Sequence, residues 1–181
     1  LLFGMRDKGN YIIQHRSYDH TVTLQDTMTL DLVENVFITP RISLVESEDK
    51  SKALIYREIN NGLNILSYDI PNMKILWAKE FEFKNNNLHR DYSSMVVTNN
   101  GAFYLTLEPD KFLQKVQHLE VFSASASSDE VRQDMLNLGD YQAYDYHTTY
   151  DNQHEKLIIS GLYSDRSLSK AQGFYYFAYH P

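Results

Sequence analysis

Four tyrosines, Tyr141, Tyr144, Tyr146 and Tyr150, crowd into the stretch "DYQAYDYHTTY" at residues 140–150. A tyrosine ring offers a flat apolar face and a hydroxyl edge, so such a cluster suits stacking on a sugar or gripping a peptide. The same rings suit packing between layers of a fold, and both readings stand. A second stretch, "LHRDY" (88–92), places His89, Arg90 and Asp91 side by side as a charged contact patch. Seven histidines are spread along the chain. His147 and His154 flank the turn "TTYDNQ", with Asp145 and Asp151 close by. A metal would need these groups to converge at roughly 2.0–2.2 Å from one ion. The plainer reading is a pair of exposed histidines around a hairpin turn, and neither a metal nor a cofactor is assigned. Asp49, Asp69, Asp110, Asp151 and Asp165 occupy polar turns. Two carboxyl groups held roughly 5–9 Å apart can hydrolyse a glycoside. A turn aspartate also accepts hydrogen bonds from nearby backbone N–H groups, and these aspartates are spaced as the turns are. The chain carries no G-x-S-x-G, H-E-x-x-H, P-loop or G-x-G-x-x-G string.

Groups this far apart in sequence need a scaffold that returns repeatedly to one place. The composition points to strands. The 181 residues include 14 Tyr and 9 Phe, with 4 Pro, 7 Gly and no Cys. Aromatic rings pack well on a pleated surface. The absence of cysteine excludes disulfides and thiolate-bound metal. A net charge of −7 gives no general attraction to phosphate backbones, so nucleic acid is not expected as a partner. No apolar run approaches the roughly 18 residues that a spanning helix needs. The opening "LLFGMRDKGN" has neither an initiator Met nor the basic and apolar regions of a signal peptide.

Self-similarity gives the organisation. Apolar strand, polar gap and apolar strand recur at 1–19, 53–70, 102–125 and 156–181. The second strands centre on Ile12, Ile65, Val121 and Tyr175, in steps of 53, 56 and 54 residues. Another strand precedes three of these pairs (35–47, 91–100 and 141–151). Another follows three of them (21–30, 74–83 and 130–138). In "KILWAKEFEF" one face carries Ile75, Trp77, Phe81 and Phe83, with Lys79 as the exception. The runs "ALIY" and "LIISGLY" read as strands buried on both faces. The stretch 127–140 also has a capping-box pattern, Ser127 to Glu130, but the repeat places a strand there.

Four antiparallel strands in units of about 50 residues imply an all-β fold, a β-propeller. The count is about three and a half blades: a partial blade at 1–34, blades at 35–86 and 87–139, and a partial blade at 140–181. The reading is a single propeller region, a piece of a larger propeller whose terminal strands pair with the rest of a parent chain or with another subunit. "KLIISGLYSDRSLSKAQGFYYFAYHP" resembles a segment of uncharacterised bacterial propeller-like proteins of the cell envelope, through Gly161–Ser164 and Gly173–Tyr176. "LNILSYDIPNMKILWAKEF" is similar to the hairpin of bacterial propellers in which a Trp, here Trp77, precedes the charged end of the last strand. The resemblance implies a periplasmic, secreted or envelope location and supplies no catalytic residues. The expected function is a non-enzymatic interaction or scaffold module that binds a protein or another macromolecule. The competing expectation is a carbohydrate-active enzyme that uses the loop carboxylates, with a glycan as partner.

Overall fold

The computed structural model describes residues 1–33, 39–83, 91–108, 118–165 and 170–180. These residues form fourteen strands and no helix. Sheet 1 contains β1 (Leu2–Asp7), β2 (Asn10–Tyr18) and β3 (Leu24–Val33). Sheet 2 contains β4 (Ile42–Glu46), β5 (Lys52–Ile59), β6 (Gly62–Asp69) and β7 (Lys74–Glu82). Sheet 3 contains β8 (Met95–Val97), β9 (Phe103–Leu107), β10 (His118–Ala124) and β11 (Arg132–Asn137). Sheet 4 contains β12 (Gln142–Asp151), β13 (Lys156–Ser164) and β14 (Gly173–Tyr179). Within every sheet the strands lie in chain order and pair antiparallel. The stretch with the capping-box pattern therefore holds a strand, β11. Sheet pairing outweighs the local helix signal there, because Leu119, Val121 and Ser123 of β10 lie opposite Leu136, Asp134 and Arg132.

The sheets stack in sequence order, and three apolar clusters fill the interfaces. Between sheets 1 and 2 lie Ile13 and Leu30 against Ile55, Leu66 and Tyr68. Between sheets 2 and 3 lie Leu54, Leu63, Ile65 and Trp77 against Phe103, Leu105 and Phe122. Phe81, Phe83 and Phe122 meet there with ring centroids 5.2–5.7 Å apart. Between sheets 3 and 4 lie Tyr104, Leu119 and Val121 against Leu157 and Ile159. Each fully buried Leu, Ile or Phe contributes about 1.5–3 kcal/mol, so most of the cohesion lies between sheets.

Two details of the strand patterns follow from this stacking. Lys79 sits on the apolar face of β7 because its ammonium reaches across to the next sheet, where it donates to the carbonyls of Ser128 and Asp129. The run 157–163 is buried on one face only. Leu157 and Ile159 are sealed against sheet 3, whereas Leu162 is 39% exposed and its neighbours on β14, Phe174 and Tyr176, are 63% and 57% exposed. Among the described residues no further sheet covers that outer face, so the expectation of burial on both sides holds for Ala53–Ile55 and not for β13.

Candidate functional site

The turns that open the last three sheets converge. They join β4 to β5, β8 to β9 and β12 to β13. Glu48, Asn99 and Asn152 hold equivalent places in them, 51 and 53 residues apart. The Asp49 N–H donates to Asn99 Oδ1 at 3.3 Å, and the Asn99 N–H donates to Asn152 Oδ1 at 2.9 Å. Asn152 Nδ2 in turn donates to Glu48 Oε2 at 2.9 Å, which closes a ring of polar contacts. Strand β8 touches both β4 and β12, so the first strands of these sheets gather around the same line.

Beside this ring an open cleft of about 610 Å³ separates sheets 3 and 4. Its floor is Ala102, Tyr104, Ser123 and Ala124. One wall is the serine turn after β10, with Ser125, Ser127 and Ser128. The other wall is His154 and Glu155, with Tyr150 below and His180 at the mouth. The serine turn is held internally: the Ser125 N–H donates to Ser128 Oγ at 2.8 Å, and Ser128 Oγ donates to the Ser125 carbonyl at 3.0 Å. Lys79 fixes it from outside, through the contacts described above.

Arg132 also lines the cleft and is held from behind by a carboxylate that a phenol shares. Arg132 Nε donates to Asp134 Oδ2 at 2.7 Å, and the Tyr179 hydroxyl donates to the same carboxylate oxygen. Burial, together with that carboxylate, pushes the Tyr179 hydroxyl up to about 12. Tyr104 and Tyr150 stack with centroids 5.3 Å apart and planes 12° apart. Burial, and then the neighbouring Tyr150, raise the Tyr104 hydroxyl well above its ordinary value. Both phenols are therefore neutral donors across the physiological range.

The tyrosines of 141–150 are divided among several places. Tyr150 lines the cleft. Tyr146 packs in the interface between sheets 3 and 4, and its hydroxyl donates to the Thr106 carbonyl at 3.3 Å. Tyr144 is exposed beside a bulge in β12, where Ala143 and Asp145 pair with successive residues of β13. That bulge lies against Gly161, where a Cβ would sit 2.1 Å from the Asp145 carbonyl oxygen. Tyr141 lies at the far end, about 30 Å from Tyr150 at the rise of an extended strand, against Tyr163 with centroids 4.5 Å apart. These four do not form one surface. Of the charged patch, Asp91 caps the turn into β8 by accepting the Ser93 N–H at 2.9 Å. His89 and Arg90 lie outside the described residues.

The turn aspartates act as caps. Asp49 accepts from Ser51 and Ser47, and Asp151 accepts from Gln153, His154 and the His154 ring. The hydrogen bond from the Ser51 backbone chiefly holds Asp49 below its ordinary value, and the His154 side chain does the same for Asp151. Asp69 also lies low: desolvation pulls it up, but the bonds from Asn72 and Lys52 outweigh that. Asp165 accepts from Gln172 at 2.7 Å. Asp110 lies outside the described residues. A glycosidase acid needs a carboxyl raised above its ordinary value, and Asp49, Asp69 and Asp151 are all displaced the other way. His147 is exposed on β12 between inward-facing Tyr146 and Thr148, while His154 faces the cleft. Among the described residues no three His, Asp or Glu side chains gather as a metal site.

Arg132, the serines 123–128, Glu155 and His180 were not legible as a site. They come from two different sheets, and only the stacking of sheet 3 on sheet 4 brings them together. Aligning the turns would have found Glu48, Asn99 and Asn152. No protein-family model matches the chain, and a comparison with curated proteins finds none that is similar.

Proposed function

We propose that the four sheets are blades of a β-propeller and that the chain is a non-enzymatic binding module that recognises a protein partner at the turn end, through the cleft between sheets 3 and 4. Several features support the propeller reading: sheets stacked in chain order, first strands gathered around one line, and equivalent turn residues bonded to one another at steps near 50 residues. The observation that carries the binding reading is the cleft itself. It is large enough for several side chains, edged by hydroxyl, imidazole and amide groups, and held open by contacts made elsewhere. The turn aspartates Asp49, Asp69 and Asp151 serve as caps of their own turns, which favours recognition over glycoside hydrolysis. A place in the bacterial cell envelope belongs to the same proposal and rests on the likeness of residues 156–181.

Selection of random heptapeptides displayed on phage against the purified protein tests this reading. At least one enriched peptide is expected to bind saturably, and Ser128→Arg, which crowds the cleft mouth, is expected to weaken it at least tenfold. Hydrolysis of 4-nitrophenyl glycosides, or failure of any peptide to enrich, would overturn it.

A further inference from the structure

The interface between sheets 2 and 3 shows what the cleft lacks. The registers align Leu54, Ser67 and Trp77 of sheet 2 with Tyr104, Ser123 and Arg132 of sheet 3. Both rows face the next sheet: Leu54 and Trp77 enter the cluster against sheet 3, and Tyr104 enters the one against sheet 4. At the earlier interface Trp77 fills the space opposite Ser67 and is 8% exposed. Its indole Nε1 donates to the Gly101 carbonyl at 3.0 Å, and the Ser67 hydroxyl donates to the same oxygen at 2.8 Å. The turn is drawn so close that a Cβ at Gly101 would lie 2.5 Å from Leu76 Cδ1.

One interface later the tryptophan position holds Arg132. Its side chain is 60% exposed and bonded to Asp134, so it lines the cleft without sealing it as the indole does. Ser123 keeps the place of Ser67 on the floor. The turn of sheet 4 is one residue longer; Glu155 precedes the paired residue Lys156 as Gly101 precedes the paired residue Ala102, and it also has positive φ, 53° against 86°. The cleft thus has the seat of an indole without the indole. It retains a serine below and a turn residue at the far side whose carbonyl corresponds to the acceptor of Trp77.

We propose that this cleft receives the aromatic side chain of a partner peptide, tryptophan or tyrosine, seated as Trp77 is seated in the preceding interface. The proposal rests on the binding-module reading and names its ligand chemistry. A flat ring fits between the Tyr104–Tyr150 pair and the serine turn. Its N–H or O–H edge finds the acceptor that Trp77 finds at Gly101. Rings in such pockets commonly anchor protein interfaces, because they bury large area at little rotamer cost. Two polar side chains at the cleft are already engaged, Arg132 by Asp134 and the His154 ring by Asp151.

The test is titration of the whole chain with N-acetyl-tryptophanamide, N-acetyl-tyrosinamide and methyl β-glucoside, followed by amide chemical shifts. The tryptophan probe is expected to saturate and to shift the amides of Ser123, Ser128 and Glu155. Arg132→Trp, which supplies the missing ring from the chain itself, is expected to abolish that binding and to keep or raise the melting temperature. Ser123→Leu, which fills the floor without touching Arg132, is expected to weaken binding at least tenfold and guards against misfolding of the first variant. Equal binding by the parent and a folded Arg132→Trp or Ser123→Leu variant would overturn the proposal. Saturation by the glucoside alone would also overturn it. If selected peptides bind and Arg132→Trp does not affect them, the aromatic seat is refuted while the binding-module reading stands.

Discussion

Trp77 is the single tryptophan of the chain, and its removal is the most direct probe of how neighbouring sheets hold together. Trp77→Ala deletes an indole that is 8% exposed between Ser67, Gly101 and the apolar side chains of sheets 2 and 3. Buried Trp to Ala changes cost about 3–5 kcal/mol, with the cavity included. The Gly101 carbonyl keeps the Ser67 hydroxyl as a donor, so no buried acceptor is orphaned and the cost belongs in the lower half of that range. A domain of this kind has about 5–15 kcal/mol in total, so the variant should fold and unfold early. With a urea slope of about 1–3 kcal/mol per molar, the midpoint should fall by roughly 1–4 M. Far-UV circular dichroism is the assay, since the variant has no tryptophan fluorescence. Trp77→Phe keeps most of the apolar volume and loses the N–H, and should cost about 1–2 kcal/mol. A loss below about 1 kcal/mol for Trp77→Ala would refute the view that inter-sheet filling carries the fold. It would also remove the template on which the aromatic seat is argued.

Leu105→Ala, at a fully buried position between sheets 2 and 3, should cost about 2–5 kcal/mol by denaturant titration. His15 and Tyr68 bridge sheets 1 and 2, with His15 Nδ1 2.7 Å from the Tyr68 hydroxyl. Burial, and then the N-terminal ammonium, lower the His15 pKa against the opposing pull of Asp26. The fold therefore favours the neutral ring. Stability is full above the ordinary histidine value of about 6.5, falls as pH drops through the lowered one, and levels off below it. The slope is at most about 1.4 kcal/mol per pH unit, and His15→Phe should flatten this part of the thermal-stability profile. A double-mutant cycle on Glu48→Ala and Asn152→Ala should show a coupling of about 0.5 kcal/mol or more, since the two side chains bond directly. On the outer face of sheet 4, Phe174→Thr with Tyr176→Thr should change stability by less than about 1 kcal/mol, because both rings are already exposed. Urea denaturation checks it.

Chain-local chemistry settled a good deal without any coordinates. Alternating rings and β-branched residues demanded strands, and the polar turns between them marked where each strand ends. The aspartates at 49, 69 and 151 read as turn caps from their neighbours alone, because a carboxylate two or three residues from a free N–H needs no distant partner. Lys79 looked like an error in the pattern until sheet 3 supplied carbonyls for it. The cleft was invisible for the same reason. Arg132, Ser123 and Glu155 lie on different strands and turns of two sheets, and they meet only because one sheet is laid on the next. The significance of Arg132 is a comparison between interfaces: what matters is the ring that Trp77 places in the preceding one. A sequence specifies which side chain stands at a position. Whether the space around it is filled or left open depends on the packing of surfaces far apart along the chain, and that is decided only in three dimensions.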